Sequence, residues 1–184
     1  MKKVFSTRNR KNNISLIGFM GSGKSTVGRV LQNYLGALFI QSDQLIINKE
    51  KASISEIFNN KGEVFFRERE IEVIKEICDN LKLVSGPSKK NVIDCGGGVI
   101  LNQININRLK ETSVIVFLDV KFSEILKRTK NDKTRPLLRD KAKAKRLYSF
   151  RRLLYNEYAD IKVKADKKTP ECIAREIIEL INKP

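Results

Sequence analysis

Short apolar runs alternate along this chain with stretches of helical spacing. Ile14-Ser15-Leu16-Ile17 has strand character, and Ser25–Leu35 then places Val27, Val30, Leu31, Tyr34 and Leu35 at helical intervals. Ala37-Leu38-Phe39-Ile40 predicts a second strand, ending at Gln41-Ser42-Asp43. A short helix over Asp43–Lys49 follows, then a polar segment from Ser53 with Ile54, Ile57 and Phe58 in helical register. Gly62 opens a long amphipathic helix to about Leu83, with Val64, Phe65, Ile71, Val73, Ile74 and Ile77 as candidate core. Val92-Ile93 predicts a short strand running into Gly96-Gly97-Gly98. Val114–Leu118 is the clearest buried strand, four of its five residues being β-branched or aromatic. Helices are expected over Phe122–Thr129 and Lys141–Tyr158, with the charged loop Lys130–Asp140 between them. Ile161–Lys164 alternates in polarity as an edge strand does, and Pro170 starts a terminal helix carrying Ile173, Ile177, Ile178 and Ile181 on one face.

Strands alternating with helices predict a three-layer α/β/α fold around a central five-stranded parallel sheet. Ligands of such sheets bind beyond the carboxyl ends of the strands, where the strand order reverses. The loop after the first strand, Gln41-Ser42-Asp43, the triple glycine and Asp119 all follow strands, so one crevice should collect them. No repeat or linker divides the chain, and the reading is a single domain over residues 14–184 behind a basic, disordered tail, 1–13. Ser85–Lys90 reads as a turn.

The chemistry lies first in Gly18-Phe19-Met20-Gly21-Ser22-Gly23-Lys24-Ser25, which fits G-x-x-x-x-G-K-[ST] between a strand and a helix. Here Gly21, Ser22, Gly23, Lys24, Ser25 and Thr26 would hold a nucleotide's phosphates. Backbone N–H groups form the cradle, Lys24 reaches the β- and γ-phosphates, and the Ser25 hydroxyl meets Mg²⁺. The helix N-terminus adds its dipole to the anion site.

Composition narrows the classes. No apolar run approaches the roughly 20 residues of a membrane span. Three cysteines in no metal spacing suit a reducing cytoplasm. Histidine is absent, leaving carboxylates, lysines and arginines for catalysis. The net charge of +16 is spread along the chain and reads as solvated surface plus a site for polyanions, with no nucleic-acid partner expected. No Asn-Lys-x-Asp stretch supports a GTPase, and the chain is short for a helicase or transporter ATPase. A small kinase remains, with a cationic lid and an acceptor pocket.

Gly18–Thr26, Ser42-Asp43, Phe66-Arg67, Gly96-Gly97-Gly98, Arg135-Pro136-Leu137-Leu138 and the Arg151…Leu154-Tyr155 segment occur in an order and spacing that resembles the shikimate kinase family. The resemblance runs from about Ile14 to the C-terminus. It implies a P-loop kinase fold with a mobile lid over about residues 130–140, and transfer of the ATP γ-phosphoryl to the 3-hydroxyl of shikimate with Mg²⁺. A cytoplasmic monomer without a membrane partner is expected. It also implies roles for particular residues. Asp43 would bind shikimate hydroxyls and act as base for the attacking one, Arg67 and Arg151 would grip the carboxylate, and Gly96, Gly97 and Gly98 would face the ring. Arg135 would close onto the phosphates from the lid. Arg128 would lie near the adenine, with the loop around Asp166–Pro170 closing over the base. Plainer roles compete: Asp43 as a helix cap, the arginines as solvated surface like Arg69 and Arg152, and the glycines as a turn.

The chain departs from the family's pattern in three respects: at Gln41 together with Asp94, at Leu153, and in its extra segments. Gln41 stands where an Asp-x-Asp pair usually supplies a carboxylate to the Mg²⁺ shell. Asp94 stands where a small or neutral residue is usual, and we expect the carboxylate to have moved there from position 41; capping of the glycine turn is the simpler alternative. Leu153 replaces a proline before Leu-Tyr, and the basic tail and the Ser85–Asn91 turn are extra. Competing readings are a gluconate-like or nucleoside kinase, a catalytically weakened ATP-binding paralogue, and a nucleotide-switched nucleic-acid or assembly factor.

Overall fold

The computed structural model describes residues 13–83, 90–130, 138 and 140–183. The expected tail up to residue 12, most of the Ser85–Lys90 turn and most of the lid, Arg135 included, lie outside them. Five parallel strands form one sheet in the order β2-β3-β1-β4-β5, with β1 at Asn13–Ile17, β2 at Leu38–Gln41, β3 at Asn91–Asp94, β4 at Ser113–Asp119 and β5 at Ile161–Lys164. The helices are α1 Lys24–Leu35, α2 Ser42–Glu50, α3 Ile54–Leu83, α4 Gln103–Thr112, α5 Phe122–Arg128, α6 Lys141–Tyr158 and α7 Pro170–Asn182. After β1 the chain crosses to the edge strand β2, returns to β3 beside β1, and then crosses to β4 and β5 on the other side, so the switch point lies between β1 and β3.

Strands covered on both faces need apolar side chains pointing both ways. Accordingly Leu16, Ile17, Val92, Ile93 and Ile115–Leu118 are all buried. α1 packs on α7, and α3 packs on α4. Gly28 lets α1 approach the sheet, because a Cβ there would run into the Phe39 ring. Residue 62 (φ 82°, ψ 174°) interrupts α3, separating helical segments 54–61 and 63–83, as its glycine and the change in spacing suggest.

Several expectations need correction. Val64 is not core but 75% exposed. Asn13 does not belong to a tail: it opens β1, and its Nδ2 donates to Thr112 O at 2.8 Å. β2 is shifted one residue onward, to Leu38–Gln41. Helix α4 was not anticipated, because Ile104 and Ile106 alternate among asparagines; Asn102 caps it, and only Ile106 and Leu109 of its apolar residues turn inward.

Candidate active site

The phosphate cradle is formed by the turn between β1 and α1. Gly21 (φ 78°) and Gly23 (φ 95°) hold left-handed backbone conformations that side chains resist. α1 begins at Lys24 with no side chain capping its first N–H groups, so those donors remain available to an anion. Lys24 is nearly buried, and its Nζ donates to Gly18 O at 3.0 Å and Phe19 O at 3.4 Å. Those weak carbonyl partners can be exchanged for phosphate oxygens. The Ser25 hydroxyl donates to Asp94 Oδ2 at 2.5 Å. Hydroxyl, ammonium, helix N-terminus and carboxylate together are a donor set that fits a nucleotide polyphosphate with its divalent cation.

Arg128 borders this cradle. It donates to Ser22 O at 3.2 Å and Ala165 O at 2.8 Å, and Glu124 Oε1 holds its Nε at 3.1 Å. The loop after β5 is thereby tied to the P-loop, and Asp166 accepts from Lys121 N at 2.9 Å. A nucleotide base leaving the cradle would meet this rim.

The second half of the crevice centres on the Gly97–Gly98 peptide. Tyr155 donates to Gly97 O at 2.5 Å, and Arg151 Nη1 donates to the same oxygen at 3.4 Å. Tyr155 is itself held by stacking on Phe117, ring centroids 5.1 Å apart. In a trans peptide the C=O and N–H oppose each other, so anchoring Gly97 O aims the Gly98 N–H away from Tyr155. A Cβ on Gly98 would fall inside the Arg67 guanidinium, and one on Gly96 would fall onto Asp43 Oδ1. Glycine at both places is what lets charged side chains touch the backbone.

Arg67 pairs with Glu70 at 2.9 Å and Glu63 at 3.0 Å. Burial works against its charge, but the two carboxylates outweigh that and raise its pKa. Arg151 is 5% exposed and has no carboxylate partner among the described residues; its Nε is buried without a hydrogen bond. Burial lowers its pKa, with the Arg67 charge adding to the effect. Two guanidinium groups therefore flank one glycine peptide, one of them unsatisfied. That arrangement suits a carboxylate, which accepts bidentate hydrogen bonds from a planar fork.

The surface alternatives for the arginines belong to their neighbours. Arg69 is tied to Glu50 at 3.1 Å and to Glu72, and Arg152 is bidentate on Asp119 at 2.9 and 2.8 Å. Asp43 is no cap: α2 starts at Ser42, whose Oγ accepts from Gly96 N at 2.9 Å, and Asp43 lies in its first turn against Gly96. Asp94 bonds across to Ser25, not to an N–H of the glycine turn.

Two residues of the crevice were not foreseen in these roles. Tyr155 was visible only as part of a motif. Glu70 lies three residues after Arg67 on a helix, which puts both on one face. It is 1% exposed, and its pKa is pushed up to about 7, chiefly by burial, with Arg67 opposing and the nearby Asp43 adding.

A family model described as shikimate kinase matches residues 20–182. A shikimate kinase of Sulfurihydrogenibium sp. (strain YO3AOP1) is 42% identical over 172 residues, covering 93% of this chain and 98% of that protein. Among solved structures, shikimate kinase from Acinetobacter baumannii in complex with shikimate superposes with a TM-score of 0.81 at 36% identity, over 92% of each chain. Shikimate kinase from Aquifex aeolicus superposes with a TM-score of 0.75 at 38% identity, over 92% of this chain and 95% of that one.

Proposed function

Because the chain belongs to the shikimate kinase family, we propose that it is an ATP-dependent kinase transferring the γ-phosphoryl of ATP to the 3-hydroxyl of shikimate, on the route to aromatic amino acids. The observation that carries the substrate is the pair Arg67 and Arg151 around the Gly97–Gly98 peptide, beside a phosphate cradle. A carboxylate-bearing polyol fits there better than a nucleoside, which offers no anion to two guanidinium groups.

In this reading Gly21 to Thr26 hold the triphosphate, Lys24 leaves Gly18 O and Phe19 O for the β- and γ-phosphates, and Arg128 borders the adenine. Arg67 and Arg151 clamp the shikimate carboxylate, and the backbone of Gly96, Gly97 and Gly98 lines the ring. Asp43 accepts hydrogen bonds from the ring hydroxyls and takes the proton of the attacking one as the O–P bond forms. Catalysis of this kind is mainly positioning and charge compensation. Ser25 would hold Mg²⁺, which would supply positive charge to offset that of the phosphoryl group. Arg135, outside the described residues, is assigned to the closing lid. Among the described residues no helix is long and apolar enough to cross a membrane. We assign the enzyme to the cytoplasm as a monomer acting on small molecules.

The test is ADP release from ATP and Mg²⁺, with and without shikimate. Release should depend on shikimate and vanish in Lys24→Ala. ATP binding without any stimulation by shikimate would refute the assignment and favour a sibling kinase or a binding-only paralogue.

A further inference from the structure

Among the described residues no group of three or more Cys, Asp, Glu or His could hold a metal ion by itself. A Mg²⁺ that arrives with nucleotide must therefore draw most ligands from phosphate oxygens and water, which is its usual habit. Beside the phosphate cradle the described residues offer it the Ser25 hydroxyl and the Asp94 carboxylate. Asp94 ends β3, is only 8% exposed, and its Oδ2 accepts the Ser25 hydroxyl at 2.5 Å. No cation lies within ion-pair distance of it among the described residues. A nearly buried carboxylate whose described hydrogen-bond partner is one neutral hydroxyl has a free oxygen and a charge that a cation would compensate.

Beside it on β2 stands Gln41, the register partner of Asp94 in the parallel pair. Paired residues of adjacent strands project to the same face of a sheet. Positions 41 and 94 thus address one point of the crevice, at the level of Ser25. One of the two is neutral and the other charged.

We propose that Asp94, with Ser25, supplies the protein's share of the Mg²⁺ shell, and that the carboxylate is interchangeable between positions 94 and 41. The proposal rests on the nucleotide half of the function argued above and not on shikimate. Gln41 then contributes an amide oxygen to a shell whose charge comes from the neighbouring strand. Loss of the aspartate from one strand is compensated on the next, so Gln41 does not mark a chain that has lost its metal.

The experiment measures ADP affinity by titration calorimetry, once with Mg²⁺ and once with excess EDTA, in the wild type, Asp94→Asn and the double variant Gln41→Asp/Asp94→Asn. Asparagine keeps an acceptor for the Ser25 hydroxyl and removes only the charge. The factor by which Mg²⁺ tightens ADP should fall about 10–100-fold in Asp94→Asn, the range typical when a group supporting a metal site is lost. It should return toward the wild-type value in the double variant. ADP affinity in EDTA reports an intact cradle in each protein, and substituting Mn²⁺ permits a direct count of bound metal by electron paramagnetic resonance. A wild-type factor in Asp94→Asn, or a double variant with an intact cradle that stays as low as Asp94→Asn, overturns the proposal. Shikimate is absent from every arm. A chain that binds Mg²⁺·ADP as described yet ignores shikimate would refute the substrate assignment and leave this one standing.

Discussion

Glu70 should make the stability of this protein depend on pH in a direction opposite to that of most carboxylates. It lies buried beside Arg67 and near Asp43, and its folded pKa of about 7 stands above the ordinary 4.5. A raised folded pKa means that the native state binds more protons than the unfolded chain between those values. The carboxyl is then best tolerated below about 4.5, and stability is lost as pH rises through about 7. The whole shift is equivalent to about 3 kcal/mol at 1.36 kcal/mol per unit. Glu70→Gln removes the titration while keeping the shape. Urea unfolding of wild type and variant near pH 5 and about pH 8 should show the wild type losing about 2–3 kcal/mol relative to the variant over that span. Titrating groups that do not interact with Glu70 cancel in the difference. Parallel profiles would refute the reasoning and mean that Arg67 holds Glu70 ionised throughout, against the burial.

Arg151→Lys keeps the charge but loses the planar fork, so KM for shikimate should rise about 10–100-fold with ADP affinity unchanged; an unchanged KM would remove Arg151 from the carboxylate site. The three glycines should not be equivalent. Gly98→Ala pushes a methyl into the Arg67 guanidinium and should raise KM for shikimate more than about tenfold, on the scale of one lost charge-assisted hydrogen bond. Gly97→Ala meets only ordinary contacts of 3.6–3.8 Å and should be far milder, and equal effects in steady-state kinetics would refute that account of the turn.

Much of the architecture was legible because its signals are local. Val114–Leu118 had to be a central strand, since only burial on both faces tolerates such a run, and β4 lies between β1 and β5. The alternation of Ile161–Lys164 marked an edge, and β5 is one. α4 escaped because Ile104 and Ile106 mimic strand alternation, and only packing against α3 and β4 tells which isoleucine turns inward. Val64 faces solvent because the buried face of its segment runs through Phe66, Glu70, Val73, Ile74 and Ile77, and two residues along a helix turn Val64 about 200° away from Phe66.

The phosphate cradle, too, was readable by eye, since one unbroken run of residues builds it and its glycines and lysine act within a few ångströms of their own backbone. The sequence by itself determined the fold class, the nucleotide loop and a set of separate charged residues around it. Tertiary structure alone decided which of those charges meet. Arg67 on α3 and Arg151 on α6 flank one peptide of a turn after β3, Tyr155 orients that peptide, and Asp94 faces Ser25 from a neighbouring strand. Each contact joins residues far apart along the chain, and its strength comes from shared burial. Spacing cannot encode that, because the removal of water that raises the Glu70 pKa and lowers that of Arg151 exists only once the helices close over the sheet.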